Sequence, residues 1–417
     1  MKKLVLAGLT ALVMVVGTLL GAVVPGNAAP GPSITAGQIL VKFRDSAAAP
    51  GVLRPHGLGD GPGVGSTGAH LITVPAGKEL QLVEALSRNP AVEYAEPDYV
   101  VTPATNDTYF DRQYALENTG QSFQNTDRKI TIDAGAEDAD VDAVEAWNVT
   151  KGGGIKVAVL DSGVATDNPD INPKVVARAN FTTSRNNEDN YGHGTHVAGI
   201  VAAFANNGMG VAGVCPECTI LAGKILSDTG MGSSSGLANG INWAVQNGAR
   251  VINMSLVVGA STTLETAVNN AWNAGVVLVA AAGNGGNTSM NYPAAYPNVI
   301  AVGATDNNDN KALFSTYGAW VDIAAPGVSV YSTFPNHKFV LAREYNRSRG
   351  YDIGSGTSMS SPIVAAVVAL ARSANPGWTN SAIREKVESS TDPVGVIGTD
   401  WARGRVNAYN AVKPPLP

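Results

Sequence analysis

Apolar positions along the chain follow two rhythms. In the first hundred residues, QILVKF (38–43), AHLITVP (69–75) and VEYAEPDYVV (92–101) have the alternation and β-branched content of strands. GKELQLVEALSRNP (77–90) has the three-to-four spacing of a helix. The stretch 47–68, rich in Gly and Pro, is expected as a loop, and TPATNDTYFD (102–111) as an exposed linker. A small α+β unit followed by a domain boundary near 102–106 is predicted.

Beyond that boundary the rhythm changes. Short, almost continuous apolar runs, IKVAVL (155–160), TILAGKIL (219–226), VINMSL (251–256), VVLVAAAGN (276–284) and VIAVGAT (299–305), are separated by helical patterns. Those patterns are THVAGIVAAFA (195–205), SSGLANGINWAVQNG (234–248) and LETAVNNAWNAG (264–275). Fully apolar strands between amphipathic helices predict an α/β fold, a parallel sheet covered on both faces. Functional groups in such sheets gather beyond the carboxyl ends of the strands.

The chain of 417 residues opens with MKK, an apolar run and the small-residue stretch GNAA. That is the layout of an export signal, with removal expected after Ala28. A membrane anchor is the rival reading, but glycines break the run and Pro25 closes it. The formal net charge of -6 and the low charged content offer no basic stripe for nucleic acid. The only cysteines, Cys215 and Cys218 in GVCPECTI, admit a redox pair, half a metal site or a short disulfide. A zinc site lacks two further ligands, and export favours the local disulfide.

Three chemistry-bearing residues stand where the fold puts function. Asp161 follows a strand in KVAVLDSG, His193 opens a helix in YGHGTHVAG, and Ser358 opens another in GSGTSMSSP. Each has a plain alternative: a turn Asp, a loop His, and a Ser capping a helix whose Pro362 falls in the first turn. A nucleophilic serine needs a base, and the base needs a carboxylate to fix its tautomer. No G-x-G-x-x-G turn follows the strand that ends at Asp161, which excludes a dinucleotide fingerprint.

Together the motifs VAVLDSGV (157–164), HGTHVAG (193–199), AAGN (281–284) and GTSMSSP (356–362) resemble those of the subtilases, the subtilisin-like serine endopeptidases. The resemblance extends from about Asn106 to Val412. It implies Ser358 as nucleophile, His193 as general base and acid, Asp161 as orienting carboxylate and Asn284 as oxyanion donor, with His196 structural. Family members usually carry alanine where Ser360 stands.

The resemblance also implies an extended peptide held between Gly230, Met231, Gly232 and Ser255, Leu256, Val257, by strand addition. Val257 departs from the family's glycine. Ala281, Ala282 and Gly283 would line a pocket for an apolar or aromatic residue before the scissile bond (P1). A strong calcium site is implied at Asp107, Asp170, Phe204, Asn207, Met209 and Val211, with hard oxygen donors. A weaker cation site is implied at Ala294, Tyr296, Val299 and Asp322. The stretch 335–354, which carries Lys338, Arg343, Arg347 and Arg349, has no counterpart in small relatives; of two readings, a flank of the leaving-group side of the cleft and a surface hairpin with solvated charges, the second is expected.

The unit before the boundary resembles the inhibitory propeptide of these enzymes, a small ferredoxin-like α+β fold. The expected organisation is a signal peptide (1–28), a propeptide (29–103) that inhibits and templates its own enzyme, a catalytic domain (104–413) and a tail (414–417). The expected activity is hydrolysis of peptide bonds in proteins through an acyl-enzyme, in a secreted monomer that cleaves itself between Val101 and Thr105. Two rival classes remain: an inactive secreted scaffold, or an ester or polyester hydrolase using the same triad.

Overall fold

The computed structural model describes residues 34–99 and 105–413. The signal segment, the bonds from Val101 to Ala104 and the 414–417 tail lie outside the described residues. The chain divides into two compact units, residues 1–101 and 102–417.

In the first unit, β1 (Ile34–Phe43) is the central strand of an antiparallel sheet with β2 (Ala69–Thr73) and β3 (Val92–Tyr99) on either side. Helix α1 (Glu79–Ser87) precedes β3. Alternation along β1 sends Ile39, Val41 and Phe43 into one core with Ile72 and Leu86. The expected 47–68 loop is corrected in its first half, where Ser46–Ala48, Ala49–Leu53 and Arg54–His56 are helical. Asp45 caps the start by accepting from the Ala47 N–H, Pro50 stands in the first turn, and Val52 and Leu53 join the core.

The second unit contains, in chain order, β4 (Lys156–Asp161), β5 (Val175–Asn180), α2 (His193–Ala202), β6 (Thr219–Lys224), α3 (Ser234–Gln246) and β7 (Val251–Met254). Then follow α4 (Thr262–Asn273), β8 (Val277–Ala281), β9 (Val299–Thr305), β10 (Ile323–Pro326) and β11 (Val330–Thr333). Helix α5 (Val340–Tyr345), β12 (Tyr351–Gly354) and α6 (Thr357–Ala374) come next.

Seven strands pair in parallel in the order β10-β9-β8-β7-β4-β6-β5. Short segments at Arg405–Val406 and Thr391–Asp392 extend the β10 edge. The unbroken apolar runs are explained by two cores. Val157, Val159, Val277 and Val279 face α2 and α6, while Ala158, Leu160, Leu278 and Ala280 face α3 and α4. The strand order reverses around β4, so Asp161 ends a strand where ligands are expected to collect.

Helix α6 is almost wholly buried along its 18 residues. It begins at Thr357, which puts Pro362 beyond the first turn, not within it. Proline cannot donate to the carbonyl four residues back, that of Ser358. The Ser255 hydroxyl fills that vacancy, donating to the Ser358 carbonyl over 2.8 Å.

Candidate active site

The carboxyl ends of β4, β6, β7 and β8 supply one edge of the site, and the starts of α2 and α6 supply the other. His193 Nδ1 donates to Asp161 Oδ1 over 2.8 Å, and the same oxygen accepts from the Ser162 N–H over 2.7 Å. Burial disfavours the imidazolium, but the charge and hydrogen bond of Asp161 outweigh it, so His193 titrates above its ordinary value. One turn on, His196 is pushed the other way, down to about 3, by burial first and by His193 next. Its Nε2 meets the Asp352 carbonyl over 3.2 Å and its ring leans on Phe334.

Ser358, Asn284 and His193 line one cavity. The Ser358 hydroxyl donates to the Ser255 carbonyl over 3.3 Å and is not hydrogen-bonded to His193 in this state. Asn284 is oriented by α6: its Oδ1 accepts from the Thr357 N–H over 2.9 Å and from the Thr357 hydroxyl over 3.0 Å. The Asn284 amide nitrogen is then left to face the cavity. Gly356 lets the helix start come this close, with φ of 147° and room for a Cβ only 3.2 Å from that nitrogen.

The sequence-derived substrate segments all follow carboxyl ends. Gly230–Gly232 close a tight loop after β6, where Leu226 bridges to Gly232 and Met231 is exposed. Ser255, Leu256 and Val257 follow β7, with Ser255 tied to α6 and Val257 open to solvent. Ala281 and Ala282 are buried at the end of β8, and Gly283 follows with φ of 106°.

Sequence reasoning missed the groups that hold this edge in place. Asp189 is fully buried; it accepts from the Ser162 hydroxyl, the Gly192 N–H, and the Thr195 N–H and hydroxyl. Burial pushes its carboxyl up, against those donors. An acid four residues before a helix-opening His was the available signal. Asn253 bridges Ser361 and Ser255, joining α6 to β7. Ser360, by contrast, has a buried hydroxyl without a partner among the described residues.

Farther off, Asp107 accepts from the N–H groups of Asn206 and Asn207, and Asp170 from the Val211 N–H and the Asn207 amide. Asp170 is pushed up to about 6, by burial first and with Asp107 adding to it. The Phe204, Met209 and Val211 carbonyls accept no hydrogen bond among the described residues. Two carboxylates and three free carbonyls fit a hard cation, while Asn207 turns its amide nitrogen to Asp170 and its oxygen to the Met209 N–H, so it would join the set only after an amide flip. The weaker set fits poorly. Asp322 already pairs with Arg384 at 3.3 Å and accepts from the Ala301 N–H, so a guanidinium of the chain supplies its counter-charge. Among the described residues no cluster of three His, Cys, Asp or Glu side chains forms.

Cys215 and Cys218 are joined by a disulfide, with Cα atoms 5.4 Å apart. The 335–354 stretch departs in part from its expectation. It leads from β11 into its antiparallel partner β12 with Lys338, Arg343 and Arg349 exposed, as expected, but on the way it folds into α5 and lines the His193 cavity with Leu341, Tyr345 and Arg347.

Both parts of the chain match known protein families. Residues 152–408 match the subtilase family, and residues 26–98 match the fervidolysin N-terminal prodomain. Thermitase of Thermoactinomyces vulgaris is 47% identical over 276 residues, 66% of this chain and 94% of that protein. A thermophilic serine proteinase of Bacillus sp. strain AK1 is 43% identical over 337 residues, 79% of this chain and 75% of that protein. A solved protease structure from Pseudoalteromonas arctica PAMC 21717 superposes with a TM-score of 0.63 at 29% identity, covering 74% of this chain and 99% of that one. The family match spans more than half of the chain, and the chain belongs to the subtilase family of serine proteases, with an N-terminal prodomain of the fervidolysin type.

Proposed function

We propose that the chain is a secreted, self-processing endopeptidase in which Asp161, His193 and Ser358 form the triad and Asn284 the oxyanion donor. The observation that carries this reading is the 2.8 Å bond from His193 to a buried Asp161 carboxylate, in a cavity shared with Ser358 and Asn284. Ser358 Oγ gives its proton to His193 Nε2 as it attacks the carbonyl, and Asp161 stabilises the imidazolium that forms. The oxyanion faces the Asn284 amide and the N-terminal end of α6. His193 then protonates the leaving amine, and water takes the same route to free the acyl group.

The peptide lies between 230–232 and 255–257, and the small residues Ala281, Ala282 and Gly283 leave room for an apolar or aromatic P1 side chain. Asp107 and Asp170, with Asn207 and the Phe204, Met209 and Val211 carbonyls, would hold one calcium ion as a structural clamp. The 29–103 segment acts as an inhibitor until it is cut between Val101 and Thr105, after a signal segment ending at Ala28 has directed export.

The intact mass of secreted wild type and Ser358→Ala, made side by side, tests this reading. A cut wild type beside an uncut mutant is expected. Two precursors of full length would overturn it.

A further inference from the structure

The wall that α5 adds to the active-site cavity has a direction. The cavity, about 430 Å³, is lined by His193 and Ser358 together with Leu341, Tyr345 and Arg347. Its described lining includes no residue from 230–232, 255–257 or 281–283, the segments proposed for the acyl side. A general acid that protonates the leaving amine stands between the two halves of the substrate. A hollow on its other flank therefore receives the leaving peptide.

Two features give this hollow a chemistry. Leu341, Phe334 and Met359 present apolar surface. Arg347, only partly buried, lines the cavity, its charge is felt by His196 on the same wall, and no carboxylate pairs with it among the described residues. A guanidinium without a counter-charge takes a carboxylate as its matching acceptor. The nearest acid on the following strand is already engaged. Asp352 accepts from the N–H groups of Ser348 at 2.7 Å and Ile353 at 2.9 Å. Glu344 on α5 is exposed, acts on Tyr191 through its charge, and forms no ion pair with Arg347 among the described residues. Gly354 keeps the floor open, since a Cβ there would stand 2.8 Å from the His196 ring and 3.2 Å from the Met359 sulfur.

We infer that α5 and Arg347 form a leaving-group subsite that selects peptides with an acidic side chain, glutamate above aspartate, in the first two residues after the scissile bond. The aliphatic stem of glutamate packs on Leu341 and Met359 while its carboxylate reaches Arg347. This specificity rests on the endopeptidase reading and adds a substrate class to it.

The test uses mature enzyme from the full chain and internally quenched peptides that share one acyl side and differ only in those two leaving-side residues. Rates are taken per active site, titrated with a sulfonyl fluoride. Glutamate should exceed lysine by about tenfold in kcat/KM, the worth of one charged hydrogen bond in a sheltered site. Arg347→Gln should bring that ratio near one, and Arg347→Glu should reverse it. Equal wild-type rates for the two peptides, or a ratio that survives in Arg347→Gln, would overturn the inference. If Arg347→Gln does not fold, the wild-type ratio and the Arg347→Glu reversal decide. A wild type that cleaves neither these peptides nor an acyl anilide sinks the endopeptidase reading and the subsite with it; cleavage of the anilide without leaving-side preference sinks the subsite alone.

Discussion

The two ends of helix α2 each gather a pair of aspartates, and the chain treats the pairs differently. At the N-terminal end, Asp161 meets His193 and the Ser162 N–H, while Asp189 is surrounded by four donors. The start of the helix adds free N–H groups and partial positive charge. At the C-terminal end, Asp107 and Asp170 receive backbone and side-chain amides and the Tyr351 hydroxyl, with no helix start beside them. Lys174, whose charge Asp170 favours, turns its ammonium to the Pro216 carbonyl and the Phe204 ring. The first pair has a histidine and a helix start to balance its charge; for the second, the proposed calcium ion would do so.

The largest effect should come from the N-terminal pair. Asp161→Asn keeps the size of the side chain but offers His193 the wrong tautomer, and kcat should fall about 10⁴-fold while the fold survives. Steady-state kinetics and circular dichroism decide it. A loss under tenfold would break the claim that this pair serves His193.

The C-terminal pair should answer to calcium instead. Chelation of sulfonyl-inhibited enzyme should remove about 4 kcal/mol if calcium had been at a thousandfold excess over Kd, or roughly 10 °C in Tm for a domain of this size. Asp170→Asn should show the lowered Tm without chelator and respond little to adding it. Asp161→Asn should keep the full calcium response. Because Asp170 sits at about 6 without the ion, protons compete below that pH and the chelation penalty should shrink there. Calorimetry across pH reads both effects, and an unchanged Tm on chelation would remove the proposed clamp.

What was legible in the sequence follows the same division between local and distant. The 299–305 strand and the helix starts at His193 and Ser358 could be read because each is written in one short stretch. The β5 strand was missed since VVARAN mixes charge into an edge position, and β10 since four residues ending in proline carry almost no pattern. Asp161, His193, Asn284 and Ser358 were nameable from their motifs. The Asn253–Ser361 bond joins residues 108 apart, and no spacing encodes it. The helix within 335–354 escaped for a related reason: its apolar residues face a cavity made by other parts of the chain.

The finest test lies within one turn of α2, where His193 and His196 share a helix and differ only in surroundings. His193 is raised above its ordinary value, so free-enzyme kcat/KM, which needs the neutral imidazole, should rise with pH through a midpoint above 6.5. The His193–Asp161 pair stabilises the folded state fully below the unfolded value of 6.5, and this contribution is lost as pH rises through the folded one. His196 has the opposite sign. With a folded value near 3, its neutral ring contributes stability above 6.5 that is lost as pH falls toward 3. In Asp161→Asn the partner's charge is gone and burial, which disfavours the imidazolium, remains, so the residual activity limb should move to lower pH. Ring-carbon NMR of both histidines across the acid range would separate them. A His196 that titrates near 6.5 would mean that burial is not what distinguishes it, and a limb that stays put in Asp161→Asn would mean that Asp161 is not what raises His193.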